Sequence, residues 1–104
     1  MGLMEKSLEL RFQQLGFTPS DYGMEARIGR IQVNATEHPL KGVALFFTTV
    51  GRRTATQFET FISKASTSDQ IAAVIYAHFG MNLKEDADEC KKHFEALGIA
   101  LGAH

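Results

Sequence analysis

The chain has one cysteine, no tryptophan, two prolines and no apolar run approaching the roughly 20 residues that a membrane-crossing helix needs. Each scarcity excludes something. Cys90 alone cannot close an internal disulfide, so stability must come from a packed core, which is the usual solution in a reducing compartment. No GxGxxG or GxxxxGK[ST] segment occurs, so the familiar glycine-rich phosphate cradles are missing and no cofactor is expected. Glu5, Lys6 and Glu9 stand where a secretory leader would carry its apolar stretch, and the expected location is therefore the cytoplasm, with no membrane partner. Asn34-Ala35-Thr36 matches the glycosylation triplet, but without a leader it reads as accidental.

Against these absences stand 104 residues, 44% of them hydrophobic, enough to close one core and too few for two, so residues 1–104 are expected to form a single domain. The net charge of -1 is unevenly spread. Residues 26–64 hold six basic side chains against two acidic ones, and residues 65–104 hold three against six. Such asymmetry suits a polyanion-binding face, although imbalances of this size are also ordinary on solvated surfaces.

Periodicity assigns the elements. Met4, Leu8, Phe12 and Leu15 fall on one side of a helix expected over residues 3–15, with Gly16 closing it and Phe17 placed to touch Phe12. Thr18 to Gly23 reads as a loop of turn formers. From Ala26 to Thr36 the period is two, Ile31, Val33 and Ala35 opposing Arg30, Gln32 and Asn34. Ile28 is out of phase with that alternation, so a bulge is expected at Gly29. Val43 to Val50 is expected to form a second strand in which Val43, Leu45 and Phe47 alternate with Ala44 and Phe46, leaving no polar face in its first half and implying cover on both sides. Gly51, Arg52 and Arg53 form the hairpin tip that follows. Residues 56–65 fit either an edge strand or a helix opened by Thr56-x-x-Glu59; the threonines and the preceding hairpin favour the strand.

Thr67-x-x-Gln70 is a capping box for a helix expected to end at Phe79 with Gly80. Asn82 is expected to open the last helix, along which Leu83, Ala87, Cys90, Phe94, Leu97 and Leu101 form a seam at alternating steps of four and three. The expected fold is thus a two-layer α+β domain: an N-terminal helix, a three-stranded antiparallel meander and two C-terminal helices.

Three functional readings follow. The first is a small interaction module without catalytic activity that self-associates, as a homodimer, or binds another protein through surplus apolar surface: Ala44 and Phe46 on the sheet, Phe94 and Leu97 on the last helix. The second is nucleic-acid binding through Arg30, Gln32, Arg52 and Arg53, whose guanidinium and amide groups suit phosphates and base edges, against an overall pI of about 6.4. The third is a pocket near Tyr76 and His78, for a small molecule or a reaction, although no nucleophile or carboxylate is tied to His78 by a recognised spacing. No metal is expected, since of Glu85, Asp86, Asp88, Glu89, Cys90 and His93 only the last two sit at a workable ligand spacing. Those acidic residues instead complement the helix dipole, with Glu89 spaced to pair with His93. Cys90, on the apolar seam, is expected to be an inert buried thiol.

Overall fold

The computed structural model describes residues 4–51 and 57–101, with Gln57 described by its backbone alone. Helix α1 (Lys6–Gln14) leads into five strands, β1 (Thr18–Ser20), β2 (Gly23–Ile28), β3 (Ile31–His38), β4 (Gly42–Thr49) and β5 (Gln57–Ile62). Helices α2 (Ser68–Asn82) and α3 (Ala87–Ala96) follow, joined by a 3₁₀ turn at Lys84–Asp86. The strands form one antiparallel sheet in the order β1-β2-β3-β4-β5.

The three-stranded meander expected from the sequence is therefore wrong: the sheet has five strands. The presumed bulge at Gly29 is a two-residue hairpin turn, Gly29-Arg30, across which Ile28 pairs with Ile31. Met24, Ala26 and Ile28 lie in one phase and Ile31, Val33 and Ala35 in the other, and a two-residue turn is what brings both sets to the same face. Gly29 takes φ +61°, while Arg30 remains at negative φ, the pattern of a type II′ turn with glycine first. The loop assigned to residues 18–23 contributes β1 as a short edge strand, where Pro19 is tolerated because one side of the strand has no ladder to join.

The strand assignment for residues 57–62 holds. The end of α1 is as the sequence implies. Phe17 N–H donates to the Phe12 carbonyl at 3.1 Å, Gly16 N–H to Gln13 at 3.0 Å, and the Phe12 and Phe17 rings meet edge-on at 5.0 Å. The Thr67–Gln70 capping box is formed in both directions. Gly80 does not close α2, because Leu83 N–H still reaches the Phe79 carbonyl at 2.8 Å and the helix runs to Asn82. Asn82 is accordingly the last residue of α2 and not the cap of the next helix.

All three helices lie on one face of the sheet. Leu8 and Phe12 from α1, Ile71, Ile75 and Phe79 from α2, and Cys90 and Phe94 from α3 share one apolar cluster with Met24, Ile28, Ile31, Val33, Leu45 and Phe47. Each such side chain contributes roughly 1.5–3 kcal/mol by leaving water, an upper figure before chain entropy is counted. The other face of the sheet, bearing Arg27, Gln32, Asn34, Thr36, Ala44, Phe46, Thr48, Glu59 and Phe61, carries no layer formed by the described residues.

Candidate functional site

The open face is apolar at its middle and polar around it. On β4, Ala44 is only 4% exposed and Phe46 is half-buried, although no helix lies above them. Their neighbours provide this cover: Ala44 lies between Thr36 and Phe61, and Phe46 between Asn34 and Glu59. Phe61 itself is 37% exposed. Its ring meets His38 edge-on at 5.8 Å, and Lys41 Nζ stands 4.9 Å from the ring centre, a cation–π contact. His38 is held in place by the turn it shapes, its Nδ1 accepting from Leu40 and Lys41 N–H at 3.1 and 3.0 Å. At the other end, the β1–β2 hairpin carries Tyr22, exposed, beside a shallow cleft of about 410 Å³ that includes Phe46, Asn34, Thr36 and Thr48.

The sequence-based expectation that both faces of β4 are covered is therefore met on the helix side alone among the described residues. Of the four proposed contact residues, Ala44 and Phe46 lie on the open face, Phe94 is wholly inside the core, and Leu97 is 43% exposed beyond the end of α3.

Of the four residues of the proposed basic surface, the two that are described, Arg30 and Gln32, lie apart. Arg30 is a turn residue, not a strand residue, and its guanidinium reaches the helical layer. There Nε donates to Asp86 Oδ1 at 3.1 Å, and Nη2 donates to Asp86 Oδ2 at 3.0 Å and Glu85 Oε2 at 3.1 Å. These bonds, Asp86 foremost, hold the guanidinium pKa above its ordinary value. Asp86 is buried, so this fork ties the β2–β3 hairpin to the 3₁₀ turn. A cleft of about 350 Å³ opens beside it, walled by Phe58, Met81, Asn82 and Lys84. Gln32 lies on the open face, its amide 3.5 Å from Asn34 Oδ1. Arg52 and Arg53 lie outside the described residues.

Tyr76 and His78 are two residues apart on α2, about 200° around the helix, and do not meet. His78 stacks on Phe47 at 4.2 Å and meets Phe58 edge-on at 5.7 Å, with Asn82 Nδ2 3.4 Å from its Nε2. Burial lowers its pKa below the ordinary 6.5, so it is a neutral packing residue at pH 7. Tyr76 packs against the core. Neither lines either cleft described above.

Comparison with protein-family models, curated proteins and solved structures finds no match. The chemistry must be read from the chain itself. Cys90 is buried and desolvation pushes its thiol up to about 12, far from a thiolate at neutral pH. His93 turns to the Leu15 carbonyl, 2.9 Å from Nε2, rather than to Glu89. Among the described residues no three of His, Cys, Asp and Glu gather around a point where an ion could sit, and no helix is long and apolar enough to cross a membrane. What sequence reasoning missed is the role of Phe61, Lys41 and His38 at the corner of the open face. The aromatic lay in the segment whose strand identity was in question, and its phase relative to Phe46 depends on pairing.

Proposed function

We propose that this protein is an interaction module that acts by binding protein, including a second copy of itself, rather than by catalysis. The supporting observation is the open sheet face, where Ala44, Phe46 and Phe61 form an apolar centre within a rim of Gln32, Asn34, Thr36 and Thr48. An apolar middle within a polar rim, here with Arg27, Lys41 and Glu59 among the rim residues, is the composition of a protein contact surface. Five strands at about 4.8 Å spacing and eight residues at about 3.3 Å give a footprint of roughly 500 Å². Side-chain relief enlarges this toward the roughly 800 Å² per partner of a standard interface.

The test is molar mass in solution by light scattering across a tenfold dilution. The wild-type protein is expected above the 11.5 kDa of one chain. Phe46→Glu is expected to lower the mass while leaving a folded circular dichroism spectrum, because Phe46 faces away from the core; the melting temperature falls modestly, since the new carboxylate lies opposite Glu59 and the stabilisation from association is lost. An unchanged mass removes Phe46 from the contact. Nucleic-acid binding is the weaker reading, since Arg30 would have to leave two carboxylates to meet a phosphate.

A further inference from the structure

The two edges of the sheet are built differently. β1 is three residues long with Pro19 at its centre, which is how an edge is blunted against pairing. β5 is six residues long, contains no proline or lysine, and among the described residues makes no backbone hydrogen bond on the side away from β4. An apolar stripe of α2 runs beside this edge. Met81, 72% exposed, shares a cleft with Phe58 at one end, and Val74 shares a groove with Ser63 at the other.

We infer that a second copy of the chain pairs antiparallel along β5, with Thr60 facing Thr60 across the two-fold axis, joining two sheets into one of ten strands. The register follows from the strand itself. A two-fold axis perpendicular to the sheet keeps each side chain on its own face, so opposed residues must differ by an even number. Centring on Glu59 sets two carboxylates directly opposite, which repels. Centring on Phe61 leaves only three strand residues on each side in register. Centring on Thr60 overlaps five, sets Phe58 against Ile62 of the other copy on the helix side, and sets Glu59 against Phe61 on the open side. Lys41 Nζ already stands over the Phe61 ring, so Glu59 of one copy arrives beside Lys41 of the other, twice by symmetry. Neither charge has an ion-pair partner among the described residues. On the helix side, Ala77 faces its own copy and Val74 faces Met81 of the other chain, and alanine at the middle suits helices packed at about 8–10 Å.

This contact shares Glu59 and Phe61 with the open-face contact proposed above but does not use Phe46, so the test is run with the centre of that face disabled. In a Phe46→Glu background, Thr60→Cys is oxidised mildly and followed on a non-reducing gel, with Thr48→Cys on the neighbouring strand as control. Directly opposed antiparallel residues have Cα atoms about 4.5 or 5.5 Å apart, and either distance accommodates a disulfide. Buried Cys90 does not compete. The expected result is a covalent dimer from Thr60→Cys at least tenfold faster than from Thr48→Cys; equal rates would overturn the pairing. Should Thr60→Cys fail to fold, charge reversal replaces it. Glu59→Lys is expected to weaken the dimer of a Phe46→Ser variant, which sets no new charge opposite position 59, about tenfold, and adding Lys41→Glu to restore it. Absence of any dimer in Phe46→Glu, or no rescue, overturns the edge contact while leaving the face contact standing if the wild-type mass exceeds one chain.

Discussion

Phe46 and Phe47 are adjacent on β4, chemically identical, and differently placed. Phe47 is 1% exposed, paired across to Val33 and Phe58, with His78 stacked on one side of its ring and Phe79 edge-on to it. Phe46 lies between Asn34 and Glu59 at the edge of the cleft beside Tyr22, with no helix above it. Hydrophobicity alone does not tell which phenylalanine is structural. The helical layer does, because a residue belongs to the core only when a second element closes over it.

The sharpest test of this difference is truncation at both positions. Phe47→Ala removes a filled aromatic site and is expected to cost about 3–5 kcal/mol in urea unfolding, a large part of the stability of a domain this size. Phe46→Ala is expected to change stability by no more than about 1 kcal/mol, its effect appearing instead in association. Similar losses at both sites would mean that the open face is covered within one chain.

The next effect concerns the ion pair that joins the sheet to the helices. Asp86→Ala leaves Arg30 without its bidentate partner, and because the arginine side chain is 44% exposed it can regain water. The expected cost is about 1–2 kcal/mol, below the 3–5 kcal/mol of a fully buried pair. A larger loss would show that the hairpin turn is held by this contact alone.

The smallest effect is a pH dependence on the covered face. The folded-state pKa of His78 lies below its ordinary 6.5, so the unfolded chain binds the proton first. Folding stability from this group is present above about pH 6.5 and declines as pH falls below it. His78→Gln is expected to flatten that slope in thermal melts between pH 7 and 5, and an unaltered slope assigns it to other groups.

Much of the covered face was legible in the sequence. The helix-closing Gly16-Phe17 pair and the Thr67–Gln70 box depend on residues within six positions of one another, so local rules suffice. The β2–β3 hairpin was misread, although its signal was present as a shift of phase from Ile28 to Ile31 across Gly29-Arg30. A bulge and a two-residue turn both shift the phase by one, and only the strand's return upon itself separates them. Arg30 was misplaced for the same reason: once it is a turn residue, its partners lie 55 and 56 positions away.

Spacing and contacts between near neighbours were enough to specify a helix towards each end of the chain, the alternation along β3 and β4, and the surplus of apolar residues on β4. Tertiary structure alone decided the number of strands, which side of β4 the helices cover, the capture of Arg30 by Asp86 and Glu85, and the exposure of one sheet edge. Each of these depends on which distant segments pair, and that is governed by closing the core as a whole rather than by the preference of any one segment.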